Sequence, residues 1–173
     1  MNLSLSQKAY QALEEAKASE ALCANKYHQA AQSANCPQLS QLFENLAQQE
    51  ENHLNLVTQM TQGKIPQYTP YVSASQGIAN QKQPTSPYAA SPNVMQNTMS
   101  SQSGHYNQAD KALLEDLLKD EKYMSGLYDT AVFEQSDGHA RQLLNTIQQQ
   151  EQEHGKMLYD YMSDHGMYAV SAR

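Results

Sequence analysis

Tryptophan is absent from this 173-residue chain and phenylalanine occurs only twice. That denies it the aromatic mass and the alternating β-branched runs on which sandwiches and barrels depend, and an all-β fold is disfavoured. Positive charge is scarce as well: 11 Lys and Arg stand against 18 Asp and Glu, a net charge of -7. No general attraction to phosphate backbones or anionic lipid follows from such a balance, so neither nucleic acid nor a membrane surface is an expected partner. With a mean hydropathy of -0.74, no stretch approaches the roughly 20 apolar residues of a membrane helix. Residues 1–7 have neither a basic n-region nor an apolar h-region, so secretion by the usual route is not expected. The two cysteines, Cys23 and Cys36, fall where helices are expected to continue or begin, which argues for reduced thiols rather than a disulfide framework.

What is present divides the chain in three. Residues 1–60 and 109–173 are rich in Ala, Leu, Glu and Lys. Residues 61–108 hold five of the six prolines, much Ser, Gln and Asn, and only Lys64 and Lys82 as full charges. No helical or strand period survives there, and the stretch reads as an irregular linker. In the first part apolar or small residues recur with heptad-like spacing at Leu13, Ala16, Ala24, Tyr27 and Ala31, then at Leu39, Leu42, Leu46, Val57 and Met60. Pro37 between the two runs suits a first helical position, so residues 1–60 read as a helix hairpin. Residues 109–162 repeat the arrangement with Leu114, Leu117, Met124, Tyr128 and Ala131, then Leu143, Ile147, Leu158 and Tyr161, with Asp137 placed to cap the last helix; a tail follows at 163–173.

The halves align at an offset of 101 residues, which sets Leu13 on Leu114, Tyr27 on Tyr128, and Gln48-Gln49-Glu50 on Gln149-Gln150-Glu151. Two hairpins with one apolar face each would stack as a four-helix bundle forming a single domain over 1–173. If a two-fold axis relates them, the second and third helices run parallel, and a long crossover must connect them. The length of residues 61–108 is then accounted for, since 48 residues span a bundle of about 38 Å with ease.

Six ionisable residues interrupt the apolar stripes: Glu20, Glu50, His53, Glu121, Glu151 and His154. The repeat maps the first three onto the last three, and each set lies at matching distances from its turn, so all six can converge at one height. Four buried carboxylates without a cation would repel and largely protonate. Two metal ions resolve the conflict, and the oxygen and nitrogen donors suit iron or manganese. One Glu-x-x-His would mean little, because 11 Glu and 6 His give roughly 0.4 such matches by chance (11 × 6 / 173). Two, each preceded by a Glu 30 residues earlier, are a specific signal.

Other residues read more plainly. Tyr27 and Tyr128 lie two turns past Glu20 and Glu121; they read first as core tyrosines, and second as phenols that could hydrogen-bond a ligand or donate an electron. Cys23 and Met124 occupy matching positions and read as core fillers rather than soft neighbours of the site. His28, His105, His139 and His165 have no motif partner and are assigned to surface or capping roles. Glu51 and Glu153 point off the stripe and read as solvated.

The run Asp120-Glu121-Lys122-Tyr123-Met124, followed by Tyr128, Glu134, Arg141, Gln150-Glu151-Gln152-Glu153-His154 and the stretch from Tyr161 to Gly166-Met167-Tyr168, resembles the spore coat protein F family of endospore-forming bacteria. That resemblance implies a place in the spore coat for a chain made in the cytoplasm, with other coat proteins or further copies of itself as partners. The Gln-, Ser-, Pro- and Tyr-rich linker and the eleven tyrosines are compatible with an adhesive or cross-linking surface. More broadly, both halves resemble the ferritin-like superfamily, including rubrerythrins and manganese catalases. A Glu from each of two helices and Glu-x-x-His from each of the others is the di-iron or di-manganese pattern of such bundles. The resemblance implies Glu50 and Glu151 as bridging ligands, with Glu20, Glu121, His53 and His154 terminal. Met124 stands where rubrerythrins carry an additional Glu, and no Cys-x-x-Cys module is present, so rubrerythrin-type peroxidase chemistry is not carried over. The competing functional readings are a redox enzyme acting on dioxygen or peroxide, and a metal pair that merely staples the bundle.

Overall fold

A computed structural model describes residues 3–67 and 106–168, which belong to one compact body. The greater part of the expected linker, 68–105 with His105, and the end of the tail, 169–173, lie outside the described residues. Four helices make up the fold: α1 (Gln7–Ser33), α2 (Pro37–Thr61), α3 (Gln108–Phe133) and α4 (Gly138–Asp164), with no strand among the described residues. The fold is all-α.

Local chemistry starts each helix. The Ser6 hydroxyl accepts from Ala9 N–H at 3.1 Å, Asn107 Oδ1 from Ala109 N–H at 2.8 Å, and Asp137 Oδ1 from His139 and Ala140 N–H at 2.8 and 3.0 Å. Each satisfies donors that have no partner within the first helical turn. α2 begins instead on Pro37, where a missing N–H costs nothing. Two helices stop in the same way. Gly63 (φ 74°) follows α2 and Gly166 (φ 68°) follows α4. Lys64 N–H then reaches Gln59 O at 3.0 Å, and Met167 N–H reaches Met162 O at 2.8 Å, closing the Schellman motif that only a left-handed residue permits. Met167 folds back into the core at 6% exposure, so this part of the expected tail is packed. A Cβ at Gly166 would meet no atom within 4 Å, so Gly166→Ala carries the backbone term alone, about 1 kcal/mol. At Gly63 it would also come within 3.3 Å of Leu3 O, and Gly63→Ala should cost more; urea melts of the two variants measure the difference.

The stripes are buried as the spacing predicts. Leu13, Ala16, Tyr27, Leu39, Leu46, Val57, Met60, Leu114, Tyr128, Ala131, Ile147 and Leu158 are fully enclosed. Tyr161 is the exception: it is half-buried, with its ring 4.0 Å from that of His165. The apolar core forms two clusters, one containing Leu13, Val57, Met60, Tyr128 and Ile147, the other Tyr27, Phe43, Leu46, Leu114 and Leu158. In α2, α3 and α4 the ionisable residues lie between these two groups in the sequence, and in α1 Glu20 falls between Ala16 and Cys23 of the first group, ahead of Tyr27 of the second.

Register follows from the contacts. Tyr27 on α1 bonds Glu121 on α3 while Tyr128 on α3 bonds Glu20 on α1, so these helices are antiparallel. His53 with Gln150, and His154 with Gln49, set α2 antiparallel to α4. Since α1 and α2 are joined by a short turn, α2 and α3 run parallel. α2 ends beside Leu3, whose N–H bonds Gly63 O at 2.6 Å; α3 begins beside the α1–α2 turn, where the buried Asp110 carboxylate accepts from Asn35 N–H at 2.8 Å. The two ends are separated by the length of α2, whose 25 residues rise about 38 Å.

Ile65 and Tyr106 pack against the core, and Lys111 Nζ sits 5.4 Å from the Tyr106 ring centroid.

Candidate metal centre

One side chain from α1, two from α2, one from α3 and two from α4 meet between the two apolar clusters. Glu20, Glu50 and Glu151 are fully enclosed; His53, Glu121 and His154 are 2%, 3% and 1% exposed. Their donor atoms fall into two quartets, Glu20, Glu50, His53 and Glu151 on one side and Glu50, Glu121, Glu151 and His154 on the other, each with all four atoms within 4.8 Å of one another. Glu50 and Glu151 belong to both. The α2 and α4 helices supply these shared residues.

In the first quartet, His53 Nδ1 faces Glu151 Oε1 at 2.9 Å, Glu50 Oε2 at 3.7 Å and Glu20 Oε2 at 3.8 Å. In the second, His154 Nδ1 faces Glu50 Oε1 at 2.7 Å, Glu121 Oε2 at 3.7 Å and Glu151 Oε2 at 3.8 Å. The two shortest approaches are within contact distance yet are not aligned as hydrogen bonds. Eight atoms of the cluster are buried without a hydrogen-bond partner: Glu20 Oε2, both oxygens of Glu50, His53 Nδ1, Glu121 Oε2, both oxygens of Glu151, and His154 Nδ1. Buried polar atoms are normally paired, and so many orphans on six neighbouring residues form a set of atoms that could hold a cation. The two imidazole rings lie nearly parallel, 16° apart, with centroids separated by 5.5 Å.

Electrostatics of the metal-free cluster tell the same story. Burial, followed by neighbouring carboxylates, holds Glu20, Glu121 and Glu151 well above the usual carboxylate range. Burial also pushes on Glu50, but the imidazoles of His154 and His53 outweigh it and draw Glu50 below that range. For His53, burial favours the neutral ring, yet Glu50 and Glu20 raise it to about 9. The site therefore shares protons among carboxylates that cannot all be ionised together. Four carboxylates carry a formal -4, which two divalent cations neutralise; iron and manganese accept this mixture of oxygen and imidazole donors. The residues fit a dinuclear centre.

The tyrosines are more than core fillers. Tyr27 and Tyr128 are fully enclosed, and their hydroxyls donate to Glu121 Oε1 and Glu20 Oε1, each across to the other hairpin. Burial and the adjacent carboxylates keep both phenols protonated, well above their ordinary value. Cys23 and Met124 are buried core residues, as expected; burial and then the charges of Glu50, Glu121 and Glu20 push the Cys23 thiol up. Both cysteines are free. His28 bridges Glu44 and Glu51 at 3.1 and 3.0 Å on the surface, His139 is exposed, and His165 caps α4. Glu51 is exposed, whereas Glu153 is half-buried and accepts from Gln149.

Two residues near the cluster carry roles that apolar periodicity did not point to. Gln150 Oε1 lies 2.9 Å from His53 Nε2, and Gln49 Oε1 lies 3.2 Å from His154 Nε2. The signal was in the repeated Gln-Gln-Glu triplet, of which only the Glu falls on the apolar stripe.

Among known proteins, residues 109–171, the stretch containing α3 and α4, match the family model of the Coat F domain. No curated protein and no solved structure matches the chain significantly.

Proposed function

We propose that this chain is a spore coat-associated protein that holds two iron or manganese ions in a ferritin-like bundle. Glu50 and Glu151 would be shared between the ions, with Glu20 and His53 completing one set and Glu121 and His154 the other. The observation that carries the reading is the pair of buried quartets with two carboxylates in common, whose inward atoms lack hydrogen-bond partners. The Coat F domain match supports the coat assignment.

Bound there, the metal pair supplies positive charge and a redox couple in a site shut off from water. The chain's own residues prepare the place. Tyr27 and Tyr128 fix the outer oxygens of Glu121 and Glu20, leaving the other oxygen of each turned to the cluster. Apolar packing on both sides keeps solvent out. No described helix is long and apolar enough to cross a membrane, and the exposed Tyr10, Tyr123 and Tyr168 offer contact area to other coat proteins or to further copies of the chain.

Elemental analysis after native purification tests the metal reading: two equivalents of iron or manganese per chain are expected, and none in Glu50→Leu/Glu151→Leu. An empty wild-type protein after reconstitution with either metal would end it. Fractionated spores test the location, with the chain expected in the coat extract; recovery only from the spore interior would contradict it.

A second reading, redox turnover of dioxygen or peroxide, is favoured by the two buried phenols in contact with ligand carboxylates, since these are oxidisable groups at the centre itself. Metal-loaded wild type should then consume peroxide or oxygen faster than Glu50→Leu/Glu151→Leu. Equal rates would remove the enzymatic reading.

A further inference from the structure

The doubled Gln-Gln-Glu triplet is only partly used by the proposed centre. Gln48 and Gln149, the first of each triplet, are exposed; Gln49 and Gln150, the second, are half-buried against the histidines. Each sits on the same face of its helix as the local His, four residues away, yet each contacts the His of the opposite hairpin. A carbonyl oxygen can only accept, so contact through Oε1 requires the proton on Nε2 of both rings. Nδ1 of each ring is the nitrogen facing the three carboxylates.

We infer that Gln49 and Gln150 are positioning residues for the metal centre: through Oε1 each holds the opposite hairpin's histidine as the Nε2–H tautomer, so that Nδ1 is presented bare to a cation. This rests on the proposed metal reading and deepens it. A histidine ligand must donate one nitrogen and dispose of the proton on the other, and the acceptor at that second nitrogen orients the ring. The amide also suits the charge balance. Four carboxylates match two divalent cations (-4 + 4 = 0), and an acidic residue at both Gln positions would take the cluster to a formal -6. A neutral acceptor orients the ring without that excess.

The arrangement has a structural consequence. Tyr27 and Tyr128 brace the carboxylate of the other hairpin, and Gln49 and Gln150 brace its imidazole. Each hairpin thus carries the supports for its partner's ligands, and the oriented donor set exists only when the two hairpins are docked.

The test is a manganese(II) titration of the full chain, with Gln49→Leu, Gln150→Leu, Gln49→Glu and Gln150→Glu beside the wild type. Leu keeps the bulk and removes the acceptor; Glu keeps the acceptor. Each Leu variant should bind about 10- to 100-fold more weakly, and each Glu variant should restore the affinity. The imidazole 15N spectrum of zinc-loaded protein gives a readout that a packing role would not move. Both ligand rings should show the Nε2–H form, with only His53 disturbed in Gln150→Leu and only His154 in Gln49→Leu. Wild-type affinity in the Leu variants would overturn the inference, as would equal losses in Leu and Glu variants or a spectral change on the same-helix histidine. Failure of the wild type to bind manganese or iron at all is a separate result, which removes the metal reading and this inference with it. Melting of the metal-free variants identifies any that do not fold.

Discussion

Adding iron(II) or manganese(II) to the metal-free protein should raise its melting temperature by on the order of 10–20 °C, and should leave Glu50→Leu/Glu151→Leu unmoved. A ligand that binds only the folded state stabilises it by RT ln(1 + [L]/Kd), about 2.7 kcal/mol for one site at 100 times its Kd. Two such sites give about 5 kcal/mol, and each kcal/mol is worth roughly 2–4 °C for a chain of this size. The cluster exists only in the folded state, because its six residues come from four helices and from both hairpins. The size of the shift would also separate ligation inside the bundle from weak association with the acidic surface, since surface carboxylates bind as readily in the unfolded chain. Melting curves with and without metal make the measurement. A wild-type shift matched in the double variant would show that the ions sit elsewhere.

The same double variant should be more stable than the wild type when both are stripped of metal, by about 1–4 kcal/mol. Without a cation, four carboxylates share an enclosed space with two imidazoles, and burial and mutual repulsion hold Glu20, Glu121 and Glu151 well above the usual carboxylate range. Replacing Glu50 and Glu151 by Leu leaves Glu20 beside His53 and Glu121 beside His154, at 3.8 and 3.7 Å, with one carboxylate for each imidazole. Leucine has nearly the volume of glutamate, so the replacement fills the space without a cavity and extends the apolar clusters on either side. Exchange of buried charge for well-packed hydrophobic side chains is commonly neutral to stabilising. Urea melts of the metal-free proteins give the difference directly. A loss of more than about 1 kcal/mol would show the carboxylates acting as a structural hydrogen-bond network, since breaking one costs stability. Taken together, the two experiments describe a site that weakens the empty fold and strengthens the filled one, as expected where polar groups are kept for binding.

Much of this was legible in the amino-acid order. The helical period marked Leu13, Leu39, Leu114 and Ile147 as core, and all four are enclosed. Pro37 and Asp137 marked helix starts for reasons internal to one turn of backbone. Glu20, Glu50, His53 and their counterparts at an offset of 101 stood out because an ionisable residue on an apolar stripe is conspicuous, and the structure brings all six together. Periodicity reports the direction in which a side chain leaves its own helix, and each of these properties depends only on that direction.

Contacts between hairpins were a different matter. Tyr27 read first as core because an aromatic on an apolar stripe needs no partner to explain it; that its hydroxyl meets Glu121, 94 positions away, depends on the antiparallel register of α1 against α3. Gln49 and Gln150 lie beside the stripe, where amides are ordinarily solvated, and only the approach of α2 to α4 turns them onto histidines. Tyr161 kept the expected spacing but is half-buried near the end of α4, where its ring stacks on His165. By itself, then, the sequence determined four amphipathic helices, the starts at Pro37 and Asp137 and the six residues that interrupt their apolar faces, since all of these are set within a turn or two of chain. Tertiary structure alone decided which carboxylates are shared between the two quartets and which tyrosine and glutamine brace each ligand, because those choices are made by the relative register of helices that local sequence does not encode.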